Sequence, residues 1–148
     1  MNLLDSSGWI EYFANGPNAE HFAPVATDAD TLLVPTIVLH EVYRWAEREG
    51  GESAANRAML AMQEGVVLAL DADLAIAAAR LAPRHKLPTA DSIIYATAQA
   101  RGATVWTQDD DFEALPGVRY FAKTKTSSRL KSPSWPEAGS DSLDPHGS

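Results

Sequence analysis

Four acidic side chains stand at positions from which they could meet and bind a cation. Asp5 follows the apolar run that opens the chain, and Asp109 follows a later predicted strand. Asp91 lies in the first turn of a predicted helix, and Glu41 projects from the apolar flank of another. Since sites in open parallel sheets form beyond the carboxyl ends of the strands, one crevice could hold all four acids.

A cluster made only of carboxylate oxygens suits Mg²⁺, or Mn²⁺ as an alternative, because these cations bind few carboxylates and keep waters for a substrate. Asp110 and Asp111 follow Asp109 and offer further oxygen ligands, so the choice between Asp109 and Asp111 stays open. One or two such cations activate water and stabilise charge on a phosphodiester. The pattern therefore predicts metal-dependent hydrolysis of nucleic acid.

Each acid taken singly also has a purely structural explanation. Asp5 could only cap a helix, and Asp91 could only stabilise the helix that it begins. Glu41 could pair with Arg44 or Arg48 on the same helical face. It is the placement of all four at one predicted edge that favours a site.

Alternating strands and helices must position these residues. Hydrophobic patterns predict strands at about Met1–Leu4, Thr31–Val34, Val66–Leu70, Thr104–Thr107 and Val118–Phe121. Helices are predicted between Asp5 and Asn15, then at about Ala19–Asp28, Pro35–Gly50, Ser53–Gln63, Asp73–Ala82 and Thr89–Gly102, with Thr89 as a helix cap. This alternation predicts an α/β fold: a three-layer α/β/α sandwich with a central parallel sheet.

The composition sets limits on the class of protein. A chain of 148 residues, 45% of them hydrophobic, can bury one core, which we assign to residues 1–122. Residues 123–148 are rich in Ser, Lys, Pro and Gly, and we expect a disordered tail there. A net charge of -8 argues against binding nucleic acid through a basic surface. With no cysteine, no signal peptide and no membrane span in the sequence, we expect a cytoplasmic protein.

The sequence resembles the PIN-domain family, and within it the VapC-type toxins of toxin-antitoxin pairs. The resemblance covers about Met1 to Phe121. It rests on Leu4-Asp5-Ser6-Ser7, on Glu41, on Thr89-Ala90-Asp91-Ser92-Ile93-Ile94-Tyr95-Ala96 and on Thr107-Gln108-Asp109-Asp110-Asp111-Phe112.

This resemblance implies a magnesium-dependent endoribonuclease, a hydrolase. It implies that Asp5, Glu41, Asp91 and Asp109 form the acidic quartet that holds the metal, with Asp111 as a possible fifth acid. Ser7 and Thr107 match positions that support those ligands.

The same resemblance implies an RNA substrate, a homodimer, and a cognate antitoxin that inserts a basic or aromatic segment into the acidic site. Trp9, Tyr12 and Phe13 recur at helical spacing. They could form the antitoxin or dimer surface, although core packing is the default explanation for aromatic residues at that spacing.

Two alternatives remain at this stage. One is a phosphoacceptor signalling domain, with Asp71 as the acceptor and Lys123 as the charge sensor. It fits less well, because that fold needs an acidic pair after the first strand and here two serines follow Asp5. The other alternative is a non-catalytic PIN-like protein that only binds a partner, and the intact acidic quartet argues against it.

Overall fold

Five parallel strands form the central sheet of the computed structural model, which describes residues 1–124 and 135–136. The strands are β1 Asn2–Leu4, β2 Leu32–Pro35, β3 Val66–Leu68, β4 Thr104–Thr107 and β5 Val118–Tyr120. The helices are α1 Ser6–Ala14, α2 Ala19–Ala26, α3 Thr36–Met62, α4 Ala72–His85 and α5 Thr89–Arg101. Short 3₁₀ turns occupy Ala29–Thr31 and Asp110–Phe112. The predicted α/β sandwich with a parallel sheet is confirmed.

The strand order is β3-β2-β1-β4-β5, which puts the first strand in the middle of the sheet. The chain moves from β1 to one side through β2 and β3, and then crosses to the other side of β1 to form β4. In open α/β sheets, the crevice at such a change of direction is where ligands bind. Leu4 pairs with Trp106 at the carboxyl ends of β1 and β4, so the residues that follow these strands face one another.

Apolar side chains bury the central strands on both sides. The fully buried strand residues include Leu3, Leu4, Leu33, Val34 and Val105. This agrees with continuous hydrophobic strands covered by helices on both faces. The edge strand β3 differs, because Val66 and Val67 stay 39% and 38% exposed.

One helix boundary agrees with the sequence prediction and another differs from it. The expected break at Gly50-Gly51 is present, because α3 consists of two helical segments separated at Gly51, which adopts a φ of +86°. That backbone conformation is open to glycine and strained for other residues. The predicted cap Thr89 is instead the first residue of α5, and Pro88 occupies the cap position because its fixed φ suits the extended residue before a helix.

The predicted tail begins after β5. Residues 125–134 and 137–148 of it lie outside the described residues, so its disorder stays a prediction. Trp135 and Pro136 are described, and both are partly buried. Among the helices of residues 1–124, none is long and apolar enough to cross a membrane.

Candidate metal centre

Three carboxylates converge at the carboxyl edge of the sheet. One oxygen atom each from Asp91, Asp109 and Asp111 lies within 4.8 Å of the other two. Asp91 lies in the first turn of α5, while Asp109 and Asp111 follow β4. The Asp109 carboxylate also accepts a hydrogen bond from the backbone N–H of Asp111 at 2.9 Å, which folds the two acids into one tight turn. Both candidates that the sequence left open, Asp109 and Asp111, therefore belong to the group.

Asp5 lies beside this group but uses its oxygen atoms differently. It is only 2% exposed. Its Oδ1 accepts hydrogen bonds from the Ser7 hydroxyl at 2.8 Å and from the Gly8 N–H at 2.9 Å. Its Oδ2 accepts one from the Thr107 hydroxyl at 2.6 Å. Asp5 is thus the N-cap of α1. It also interacts electrostatically with Asp91 and Asp109, and we call Asp5, Asp91, Asp109 and Asp111 the acidic centre.

Two hydroxyl groups join the ends of β1 and β4. The Thr107 Oγ1 atom that donates to Asp5 also accepts from the Asp109 N–H at 2.8 Å. The Ser7 Oγ atom accepts from the Gln108 N–H at 3.1 Å. A rotation of either loop would break these bonds, so they fix the position of Asp5 relative to Asp109.

Gly8 permits the close approach of α1 to these strands. A Cβ atom there would lie 2.3 Å from Cδ1 of Leu4 and 3.4 Å from the carbonyl oxygen of Trp106. The first of these distances is far inside van der Waals contact, so a larger residue would displace either the buried Leu4 side chain or α1 itself.

Glu41 enters from α3 and contacts the first turn of α1. Its Oε1 accepts a hydrogen bond from the Ser6 hydroxyl, and its side chain is partly buried. Glu41 therefore contacts the residue that follows Asp5 in the chain, although it does not belong to the group of Asp91, Asp109 and Asp111.

A buried amide network supports the same edge and was not found from the sequence. Asn18 Nδ2 donates to Gln108 Oε1 at 2.9 Å and to the carbonyl oxygen of Ala122 at 3.0 Å. The Glu11 carboxylate accepts from the Asn18 N–H at 2.7 Å and from Gln108 Nε2 at 3.3 Å. These bonds hold the turn between α1 and α2 against the residues after β4. A polar Asn after the Gly16-Pro17 turn is the only local signal, and it does not identify the partner.

Burial perturbs the Asp5 carboxyl group. Desolvation raises its pKa from 3.8 to about 6, although hydrogen bonds from Thr107, Gly8 and Ser7 act in the opposite direction. The negative charge of Asp109 adds to the increase. A carboxylate held so far from water needs a nearby positive charge to stay ionised without a large cost in free energy.

Asp91 is perturbed more strongly. Its pKa rises from 3.8 to about 8, first through burial and then through the negative charge of Asp109. A hydrogen bond with Asp111 and the charges of Asp5 and Asp111 raise it further. The centre thus holds several acids that cannot all ionise without a compensating cation.

Within residues 1–124, no basic side chain forms a salt bridge with these acids. The salt bridge found there joins Arg48 Nε to Glu49 at 3.5 Å, on the exposed part of α3. The donor set is carboxylate oxygen, without histidine or cysteine, which fits a hard cation such as Mg²⁺. The arrangement can therefore bind a divalent cation and present it at an open edge of the sheet.

The residues of the signalling alternative lie apart from each other. Asp71 caps α4 by accepting from the Leu74 N–H, and it lines a cavity under the edge strand β3. Lys123 lines a different cavity, together with Asp109 and Asp110. The strand order also differs from the 2-1-3-4-5 order of receiver-like folds. The geometry does not support a phosphoacceptor at Asp71.

Comparison with known proteins identifies relatives. The sequence profile of the PIN domain matches residues 3–118. A search of curated protein sequences found no match.

Solved structures resemble the fold over most of their length. A toxin-antitoxin complex from Klebsiella pneumoniae matches with a TM-score of 0.72 and 24% identity, covering 84% of this chain and 100% of that one. VapC20 from Mycobacterium tuberculosis, a toxin that cleaves the sarcin-ricin loop, matches with a TM-score of 0.67 and 21% identity, covering 80% and 97%. DNA-bound VapBC from Salmonella typhimurium matches with a TM-score of 0.61 and 20% identity, covering 82% and 98%.

Proposed function

The chain belongs to the PIN domain family, and we propose that it is a magnesium-dependent endoribonuclease that acts as the toxin of a toxin-antitoxin pair. The observation that carries the proposal is the convergence of Asp91, Asp109 and Asp111, with Asp5 held beside them at the point where the sheet changes direction. Such a site needs a cation, and Asp111 is exposed to solvent at its outer side. The similarity of the fold to toxins and toxin-antitoxin complexes supports the same conclusion.

In this proposal the acidic residues have different roles. The cation is bound directly by Asp91, Asp109 and Asp111. Asp5 either binds the cation as well or balances the charge of the cation from the buried side of the site. When bound, Mg²⁺ or Mn²⁺ supplies a positive charge that activates water and stabilises charge on a phosphodiester. Glu41 completes the site or positions the attacking water, since its carboxylate is anchored by Ser6 at the first turn of α1.

The hydroxyl groups of Ser7 and Thr107 act as positioning residues. Each donates to an oxygen atom of Asp5, so they hold the carboxylate ready in one orientation. Thr107 also fixes the backbone of Asp109. A site held in place before substrate arrives loses less free energy to reorganisation during the reaction.

The charge of the protein constrains how RNA reaches the site. With a net charge of -8, the protein repels a polyanion at long range. The cation itself must then provide much of the local attraction for a phosphate group. Cleavage should therefore depend on the divalent cation for substrate binding as well as for chemistry.

A cognate antitoxin and a homodimer are further parts of the proposal. The antitoxin is supported by the similarity to VapBC structures, in which a toxin of this fold is bound to its partner. We propose that the antitoxin covers the acidic centre with a basic or aromatic segment. The cytoplasmic location predicted from the sequence stays part of the same proposal.

The test incubates the purified full-length chain with total RNA in Mg²⁺ or in EDTA. We expect cleavage in Mg²⁺ only, and loss of cleavage in the Asp91→Asn variant. Asp30→Asn serves as a matched control, because it removes the same charge from an exposed position outside the site. Cleavage that persists in EDTA, or in the Asp91→Asn variant, would refute the metal mechanism.

A further inference from the structure

Trp135 belongs to the segment that follows β5, and its side chain packs against α1 and α3. The Trp135 ring lies 5.3 Å from the Trp45 ring on α3, at an interplanar angle of 44°. It lies 6.3 Å from the Phe13 ring on α1, at 31°. These tilted and offset arrangements are the ones that aromatic pairs prefer. Trp135 is accordingly one of the partly buried residues packed against the core.

Gly50 contributes to the place that Trp135 occupies. A Cβ atom at Gly50 would lie 2.9 Å from both Cε2 and Cζ2 of Trp135. Real Cβ atoms do not approach a ring so closely, so any side chain at this position would move the indole. The pair Gly50-Gly51 thus breaks α3 and also leaves space for the ring.

A cavity of about 620 Å³ continues from this contact along α1 and α2. Its wall includes Trp9, Tyr12 and Phe13 from α1, and Trp135 and Pro136 close one side of it. The three aromatic residues that the sequence singled out therefore serve two purposes. Trp9 and Phe13 are buried at 1% exposure, and together with Tyr12 they also line a groove of mixed polarity.

The charges of the groove match those of the segment that precedes Trp135. Glu20 and Glu64 line the cavity, and no lysine or arginine does so among the described residues. The sequence from Lys123 to Trp135 carries four basic residues and no acidic one. An acidic groove lined by aromatic side chains and a basic segment that ends in an aromatic residue attract each other at short range.

We propose that the end of this groove formed by Phe13, Trp45 and Gly50 is a docking site for a Trp-Pro peptide element, and that Trp135-Pro136 of the same chain occupies it and so closes one side of the cavity. Pro136 restricts the preceding Trp135 to extended conformations, so less entropy is lost when the element docks. This inference is independent of the proposed nuclease activity, because it rests on contacts outside the acidic centre.

The chain is long enough for docking within one molecule. Eleven residue steps separate Thr124 from Trp135, and an extended chain spans at most roughly 3.5 Å per step, or roughly 38 Å in all. A short linker of this kind holds its end at an effective concentration in the millimolar range. Docking within one molecule should therefore outcompete docking onto a second copy at ordinary protein concentrations.

The first experiment records aromatic NMR spectra of the full-length chain. We expect nuclear Overhauser contacts from the Trp135 ring to the Trp45 and Phe13 rings, and shifts of the latter two signals in a Trp135→Ala variant. Trp135→Phe should retain part of the effect because it keeps an aromatic ring. Ile76→Ala is the matched control, since Ile76 is 56% exposed on α4 and does not line the groove.

A mixture of isotope-labelled and unlabelled chains decides which molecule supplies the ring. Contacts within one molecule are expected. Contacts between molecules would overturn the proposal of occupation by the same chain, and the absence of both kinds of contact would overturn docking itself.

The second experiment tests the groove as a peptide site. A synthetic peptide with the sequence of residues 123–136, Lys-Thr-Lys-Thr-Ser-Ser-Arg-Leu-Lys-Ser-Pro-Ser-Trp-Pro, is added to the Trp135→Ala variant. It should restore the Trp45 and Phe13 signals, whereas the same peptide with Ala in place of Trp should not. On the unsubstituted chain, the apparent affinity should be at least threefold weaker, because the tethered Trp135 competes. Equal affinity for both chains, or no restoration, would refute the proposal.

Discussion

Replacing Asp5 with asparagine should stabilise the metal-free protein at alkaline pH. Asp5 is buried, and burial raises its pKa from 3.8 to about 6. Asparagine has nearly the same shape and can still accept hydrogen bonds from Gly8 and Ser7, but it carries no charge. The variant that is expected to lose activity should therefore be the more stable one, as is common where function requires a strained site.

The size of the effect follows from linkage. Between pH 3.8 and about 6, the folded protein holds a proton on Asp5 that the unfolded chain has lost. Folding then takes up protons, so the free energy of unfolding falls as the pH rises. The full penalty above the folded pKa is about 3 kcal/mol, and about 2 kcal/mol of it develops between pH 4.5 and pH 8. Asp5→Asn removes this dependence.

Urea denaturation in EDTA at pH 4.5 and pH 8 measures the effect. The stability of the variant relative to the parent chain should increase by about 2 kcal/mol between the two values. Saturating Mg²⁺ at pH 8 should then stabilise the parent chain more than the variant, because the cation favours the ionised form. Asp30→Asn, at an exposed position, should show no comparable pH dependence. A difference between Asp5→Asn and the parent that is the same at both pH values would refute the reasoning.

Three further predictions concern the neighbours of Asp5. Thr107→Val should lower the free energy of unfolding by about 1–3 kcal/mol in urea, since it leaves the Asp109 N–H without its acceptor; an unchanged midpoint would contradict this. Asp111→Asn should weaken Mg²⁺ binding at least about tenfold in calorimetry, whereas the adjacent Asp110→Asn should not, and equal losses would show that only net charge matters. Glu41→Gln should slow RNA cleavage about 100-fold with little change in stability; full activity would remove Glu41 from the mechanism.

The general position of the candidate site could be predicted from the sequence. Short hydrophobic runs end at Asp5 and just before Asp109, and the rules of parallel sheets place both ends at one edge. The predicted positions of the five strands agree with those observed to within about two residues, as expected for buried hydrophobic segments. These features follow from local patterns and from the topology that the patterns imply.

The roles of individual atoms could not be predicted in the same way. The sequence suggested Asp5 both as a ligand and as a helix cap, and its bonds from Ser7 and Gly8 are local. The bond from Thr107 to Asp5 depends instead on the pairing of strands about 100 positions apart. The bond from Asn18 to Gln108 likewise joins residues 90 positions apart. No local pattern encodes such contacts, because they exist only after the helices have packed on the sheet.

The pairing of the first strand with the fourth has a consequence for synthesis of the protein. Asp5 leaves the ribosome early, but Asp109, whose backbone is held by Thr107, follows 104 residues later. At translation rates of about 5–20 residues per second, this takes roughly 5–20 s. During this interval the nascent chain has no complete acidic centre. The centre therefore cannot form before Asp109 has been synthesised and β4 has paired with β1.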